Sequence, residues 1–89
     1  MTRKKHYVVL FSRLAQKDYA SIKDKKLLKR INVILEDLET NPFSGKPLHG
    51  EFQGCRSIKT FSFRIVYEIG KSKIVITVLR IQHRKESYR

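Results

Sequence analysis

Hydrophobic residues in the first half of the chain follow one strand-like and one helix-like pattern. The run "HYVVLF" at 6–11 is apolar and rich in β-branched and aromatic side chains, which predicts a first strand. Ser12 offers an N-cap for a short helix over 13–20. In 24–40, "DKKLLKRINVILEDLET", leucines and isoleucines recur every three or four residues. This spacing predicts an amphipathic helix with Asp24 as its N-cap.

The second half of the chain predicts a sheet. Segment 41–54 holds both prolines and three of the four glycines, which is typical of a loop. Three strand candidates follow it, at 55–61, 63–69 and 73–81, with "GKS" at 70–72 as the turn of a hairpin. The order β-α-α-β-β-β predicts an α+β fold. We expect a small, mostly antiparallel sheet with two helices packed on one face.

Strand alternation assigns the basic side chains to faces. In 63–69 the odd-numbered positions are apolar or aromatic and suit the face that the helices cover, so Arg64 should point to the open face. If Ile58 belongs to the core, Lys59 joins Arg64 on the open face and Arg56 points the other way. The stretch after the last predicted strand, "QHRKESYR", could bring further charges to the same rim.

Length and charge restrict the class of protein. Eighty-nine residues make a single domain, 1–89, and 20 Lys and Arg against 8 acidic residues give a net charge of +12. A domain this basic usually binds a polyanion, most often nucleic acid, although an acidic protein also fits. The single cysteine, Cys55, excludes an internal disulfide and fits a small buried side chain in a reducing, cytoplasmic setting. No apolar run approaches the roughly 20 residues of a membrane span, so no membrane partner is expected.

No motif indicates a cofactor or a metal, and none is expected. There is no glycine-rich phosphate loop, and the histidines at 6, 49 and 83 are far apart without thiolate partners. The remaining Arg, Lys, His and Tyr side chains suit metal-free RNA cleavage, in which the 2′-hydroxyl of the substrate attacks the adjacent phosphate. A non-catalytic RNA-binding surface explains the same residues.

Two stretches of sequence carry a family resemblance. "FRIVYEI", a turn, "KIVITVLRI" and then "HRKESY" resemble the C-terminal half of the RelE/ParE toxin superfamily of type II toxin–antitoxin systems. "LETNPF" and "KPLHGEFQGCRSIK" are similar to that family's helix end, loop and first central strand, so the likeness runs from about residue 7 to 88. It implies the same β-α-α-β-β-β fold and ribosome-dependent cleavage of mRNA. It also implies a hetero-oligomer with an acidic antitoxin.

The resemblance implies a role for each of five residues. Arg64 would bind the scissile phosphate, and Lys59 would hold or activate the nucleotide. Arg84 would stabilise charge at the scissile or leaving phosphate. Tyr88 would stack on a base or transfer a proton, and His83 would act as general acid. Each is a catalytic candidate, and each could instead be a surface or tail residue.

A wider set of basic residues is expected to contact RNA. It consists of Arg56, Lys59, Arg64, Arg80 and Lys85. Some RelE-like proteins carry a second lysine where this chain has Ser57. Arg56 could replace that lysine only in a different strand register.

The ParE branch of the superfamily inhibits DNA gyrase on the same fold. It typically lacks the full basic and tyrosine set near the C-terminus. "HRKESY" therefore favours an RNA-cleaving toxin, with gyrase inhibition as the alternative.

Overall fold

The computed structural model describes residues 6–83, which form a five-stranded sheet and two helices. The helices and strands are β1 Val8–Phe11, α1 Arg13–Ser21, α2 Lys25–Leu38, β2 Lys46–Pro47, β3 Arg56–Thr60, β4 Phe63–Ile69 and β5 Val75–His83. The strand order is β1-β5-β4-β3-β2, with β1 parallel to β5 and the other neighbours antiparallel. The predicted α+β fold is confirmed.

Both predicted helix caps are present. The Ser12 hydroxyl accepts from the Ala15 N–H at 3.0 Å and donates to the Leu79 carbonyl at 2.8 Å, so it starts α1 and also ties it to β5. The Asp24 carboxylate accepts from the N–H groups of Lys26 and Leu27 at 2.9 and 3.2 Å. These bonds satisfy amide groups that have no partner within the first turn of a helix.

The core lies between the helices and one face of the sheet. Its fully or almost fully buried members are Ala15, Leu27, Ile31, Ile34, Leu38, Ile65, Tyr67, Ile76, Val78 and Ile81. Tyr67 is 0% exposed, and its hydroxyl donates to the Pro42 carbonyl at 2.7 Å and accepts from the Gly45 N–H at 3.0 Å. A Cβ at Gly45 would lie 2.6 Å from that hydroxyl, so this approach requires glycine. The interpretation of Tyr67 as a core residue is confirmed.

The segment after α2 is more ordered than the predicted loop. Within 41–54 the chain forms 3₁₀ turns at Pro42–Ser44 and Gly50–Phe52, and the short strand β2 pairs with β3. Two bonded residues are too few to produce a periodic pattern, which explains why the sequence showed only a loop. The turn between β4 and β5 is also longer than predicted, because pairing resumes only at Val75.

An extra residue in β5 sets the orientation of the sheet's end. Val66 pairs with Arg80 but Tyr67 pairs with Val78, so Leu79 is a β-bulge. The bulge shifts alternation by one residue and lets both Val78 and Ile81 face the core. The strand then continues to His83, two residues beyond its predicted end at 81, because β4 offers partners as far as Phe63.

Candidate functional site

Lys59 and Arg64 lie directly opposite each other on β3 and β4. Their neighbours in the ladder, Ile58 and Ile65, face the helices, so both basic side chains point to the open face. Lys59 is exposed and Arg64 is half-buried. The prediction that these two residues share the open face is confirmed, and we call this surface the Arg64 face.

Arg64 lies beside an aromatic ring and opposite a glutamine of the adjacent strand. Its guanidinium carbon lies 5.7 Å from the centroid of the Phe52 ring, within the range of a cation–π contact. Phe52 belongs to the second 3₁₀ turn, so segment 41–54 contributes an aromatic ring to the surroundings of Arg64. On the other side, Gln82 of β5 pairs with Arg64 in register.

Two buried polar atoms on the Arg64 face have no hydrogen-bond partner. They are Arg64 Nε and Gln82 Oε1, and within residues 6–83 they are the two buried side-chain atoms of this kind. Unpaired buried polar atoms are rare in folded proteins and call for an explanation such as a ligand. Sequence reasoning identified Arg64 but missed Gln82, because the bulge that shifts the alternation of β5 before Gln82 leaves no sequence signal.

Lys46 adds a further positive charge to this face. It pairs with Ser57 across β2 and β3, and alternation places its side chain on the same side as Lys59. A cleft of about 300 Å³ is lined by Ser44, Lys46, Ser57, Ile58 and Lys59. Sequence reasoning missed Lys46 because it lay in the predicted loop. Its position directly after a glycine and beside a proline-containing turn was the signal that could have identified it.

Arg56 is not part of the Arg64 face. It pairs with Tyr67 and so points away from Lys59, as the sequence register predicted. Its Nε donates to the Gly45 carbonyl at 3.0 Å and its Nη2 to the Phe43 carbonyl at 3.2 Å. Its guanidinium carbon also lies 5.3 Å from the centroid of the Phe43 ring. These contacts make Arg56 an anchor for the first 3₁₀ turn, and its predicted contact with RNA gains no support from the structure.

Arg80 is also engaged within the protein. Its Nε and Nη2 donate to the two Asp18 carboxylate oxygens at 2.8 and 3.2 Å, and the Ile81 N–H donates to the same carboxylate at 2.9 Å. The pair is only partly exposed, at 30% for Arg80 and 17% for Asp18. Arg80 therefore fastens β5 to α1, a role that differs from the predicted contact with RNA.

The expectation that the chain leaves the sheet before His83 is wrong. His83 still belongs to β5 and pairs with Phe63, and the two rings meet edge to face with centroids 5.2 Å apart. Alternation places His83 on the face opposite Arg64 at this end of the sheet. The structure thus brings Gln82, and not His83, beside Arg64. Arg84, Lys85 and Tyr88 lie outside the described residues.

Cys55 has the buried position expected for a lone cysteine. Burial raises the pKa of its thiol, and the negative charge of Glu68 raises it further. The thiol is therefore protonated and unreactive near neutral pH.

Within residues 6–83, no group of three or more His, Cys, Asp or Glu side chains could hold a metal ion. Neither α1 nor α2 has the length and apolar composition needed to cross a bilayer.

Comparisons with known proteins bear on the family and the fold. A family model described as the ParE toxin of the type II toxin–antitoxin system, parDE, matches residues 9–88. Toxin RelG of Mycobacterium tuberculosis is 30% identical over 84 residues, which cover 93% of this chain and 97% of RelG. Toxin YoeB of Synechocystis is 32% identical, covering 86% of this chain and 98% of YoeB.

A solved structure shows the same fold. The toxin–antitoxin complex RelBE2 from Mycobacterium tuberculosis contains a chain that superposes with a TM-score of 0.79 at 27% identity. The superposition covers 94% of the present chain and 98% of that one.

Proposed function

This chain belongs to the ParE toxin family of type II toxin–antitoxin systems, within the RelE/ParE superfamily, and we propose that it cleaves mRNA. The proposed activity is that of a metal-independent endoribonuclease acting in the ribosomal A site, which would inhibit translation. The observation that carries it is the pairing of Lys59 with Arg64 on the open face of the sheet. Phosphodiester cleavage needs positive charge where the phosphate gains negative charge, and this pair provides it.

In the proposed reaction the 2′-hydroxyl of the RNA gives up its proton as its oxygen attacks the adjacent phosphorus. The bond to the 5′-oxygen breaks, and that oxygen takes up a proton. The products are a 2′,3′-cyclic phosphate, or the 3′-phosphate formed by its hydrolysis, and a 5′-hydroxyl. Arg64 binds the non-bridging oxygens of the scissile phosphate, because a planar guanidinium can donate two parallel hydrogen bonds to them. Lys59 holds the nucleotide beside it, and Lys46 contacts a neighbouring phosphate.

Three further roles rest on the family resemblance alone. Arg84 stabilises charge at the phosphate, and Tyr88 stacks on a base or transfers a proton. His83 protonates the leaving 5′-oxygen. Because β5 holds His83 on the opposite side from Arg64, the RNA must pass around the end of the sheet to meet both. If His83→Gln cleaves as fast as the wild type, His83 has no part in the mechanism, and the role assigned to Arg64 is unchanged.

Primer extension on mRNA tests the proposed function. Cells briefly expressing the wild-type chain should show new 5′ ends within translated messages, and cells expressing Arg64→Ala should not. Arg13→Ala, which removes an exposed arginine on α1, is the matched control and should cleave like the wild type. End-group analysis then separates cleavage from binding alone, and intact mRNA with wild-type protein would contradict the proposal.

Gyrase inhibition is the alternative function, because the matching family model is described as a ParE toxin. A supercoiling assay with relaxed plasmid and purified gyrase addresses it directly. Inhibited supercoiling together with intact mRNA would support this alternative.

We also propose an acidic antitoxin as the partner of this chain. The solved RelBE2 structure is a toxin–antitoxin complex. In the present chain, the basic residues Lys26, Lys29 and Arg30 line a cleft of about 330 Å³ together with exposed Val33 and Phe61. A helix with one apolar and one acidic face would cover such a surface.

A synthetic acidic amphipathic helix can test this surface. Val33→Asp should weaken its binding at least tenfold, since the change buries a carboxylate against an apolar and acidic partner. Leu14→Asp, at another exposed apolar position on α1, should leave binding unchanged. Equal loss in both variants would contradict the assigned surface.

A further inference from the structure

The geometry points to Gln82 as a positioning residue for Arg64. On this inference, Gln82 Oε1 accepts a hydrogen bond from Arg64 Nε when RNA binds, and that bond fixes the orientation of the guanidinium toward the scissile phosphate. The inference rests on the proposed function and assigns to Gln82 a role within the same site.

The two side chains meet the requirements for this bond. Arg64 and Gln82 are direct partners on adjacent antiparallel strands, so their side chains leave the same face of the sheet side by side. One buried unpaired atom is an N–H donor and the other is a carbonyl acceptor. A rotation of the side chains would therefore pair both atoms without any change in the backbone.

The contact with Phe52 does not fix the orientation of the Arg64 guanidinium, and a hydrogen bond to Gln82 would fix it. The Phe52 ring lies near the guanidinium carbon and restricts its position from one side. A ring contact does not fix which edge of the guanidinium faces the substrate. With Nε bonded to Gln82, the edge that Arg80 uses toward Asp18 is occupied in Arg64. The two terminal nitrogens then form the free edge, which can donate to two phosphate oxygens at once.

The contrast with the neighbouring arginines supports a role in substrate binding. Arg56 and Arg80 donate their Nε hydrogens to acceptors in the folded protein, at 3.0 and 2.8 Å. Arg64 Nε has no such acceptor among the described residues, yet Gln82 places one on the adjacent strand. In the folded protein, two of the three arginines thus donate a hydrogen bond from Nε. On this inference, the third bond, from Arg64 Nε, forms when RNA is bound.

Two substitutions at Gln82 separate positioning from packing. Gln82→Met keeps the length of the side chain but removes the acceptor, and Gln82→Glu keeps an acceptor oxygen. We expect Gln82→Met to lower the single-turnover cleavage rate at saturating RNA about tenfold. Gln82→Glu should stay within about threefold of the wild type. The melting temperature of Gln82→Met should not fall, because the free protein loses no hydrogen bond.

A double-mutant cycle with Arg64 tests whether Gln82 acts through the arginine. In an Arg64→Ala background, Gln82→Met should cause no further loss of rate. An equal loss in both backgrounds would mean that Gln82 acts on the substrate independently of Arg64 and would overturn the inference. Thr77→Val, a change on the same strand at a position paired with Glu68, serves as the control and should cleave normally.

A readout without cleavage distinguishes this inference from the proposed function. The Nε–H signal of Arg64, assigned by its loss in Arg64→Lys, can be followed by NMR with an uncleavable RNA that carries a 2′-deoxy nucleotide. Its exchange with solvent should slow in the wild type and in Gln82→Glu but not in Gln82→Met. Equal exchange in all three proteins would overturn the role of Gln82, whereas absent cleavage with the expected exchange would overturn only the nuclease function.

Discussion

Three arginines on three adjacent strands, Arg56, Arg64 and Arg80, are all half-buried but differ in what they bind. Arg56 binds the carbonyls of the first 3₁₀ turn, and Arg80 binds the Asp18 carboxylate. Arg64 lies beside the Phe52 ring, and its Nε has no acceptor among the described residues. Burial and strand position therefore do not separate a structural arginine from a functional one, whereas the set of acceptors does.

The largest effect is expected at Arg64. Arg64→Ala should lower the single-turnover cleavage rate at least tenfold, about 1.4 kcal/mol of barrier or more, because it removes the charge that neutralises the scissile phosphate. Its unfolding free energy should decrease by only about 0.5–1 kcal/mol, since the free protein loses the contact with the Phe52 ring but no hydrogen bond of Arg64 Nε. The two measurements are rapid-quench cleavage and urea denaturation. Wild-type cleavage in this variant would remove the distinction between Arg64 and its neighbours.

Arg80 should show the opposite behaviour. Arg80→Met should lower the unfolding free energy by about 1–2 kcal/mol, because Asp18 would lose its charged partner in a partly buried position. The cleavage rate should stay within about twofold at a temperature where the variant is folded. Unchanged stability in urea denaturation, together with slowed cleavage, would place Arg80 among the substrate-binding residues instead.

Lys46 should show a smaller, purely electrostatic effect. Lys46→Gln should weaken binding of single-stranded RNA about fivefold at 0.1 M salt and reduce the slope of log affinity against log salt by about 0.7. Fluorescence anisotropy with an uncleavable RNA measures both quantities. Lys17→Gln removes the same charge from α1 and should change neither by a comparable amount. If the two variants behave alike, Lys46 contributes only to the general charge of the chain.

The smallest effect is expected at Cys55, which has no assigned role in RNA binding. Its pKa is raised in the folded state by burial and by Glu68, so the unfolded chain loses the thiol proton first as the pH rises. Unfolding free energy should therefore decline slightly more steeply in the wild type than in Cys55→Ala above pH 9. Parallel curves would show that the folded thiol titrates like an unfolded one. Cleavage by Cys55→Ala should equal that of the wild type.

Local patterns predicted much of this fold and the central pair of its site. The spacing in 24–40 identified α2, Ser12 and Asp24 identified both caps, and alternation in 63–69 placed Arg64 on the open face. These properties depend on residues a few positions apart, so the sequence contains them directly.

Long-range partners explain what the sequence did not show. Arg80 is bound by Asp18, 62 positions away, and no local pattern indicates that pair. Gln82 follows the extra residue Leu79 in β5, and a strict alternation of faces misses such a shift. The residues at the C-terminus, Arg84, Lys85 and Tyr88, keep roles that rest on resemblance.

The bulge at Leu79 contributes to the fold through its backbone. The Leu79 carbonyl accepts a hydrogen bond from the Ser12 hydroxyl that also caps α1, so the irregular strand and the start of the helix are joined. Deleting Leu79 would restore regular alternation between β4 and β5 and leave Ile81 on the core side and Gln82 beside Arg64, but it would remove this carbonyl. The extra residue therefore serves the junction between β5 and α1, and any residue at 79 can supply the carbonyl.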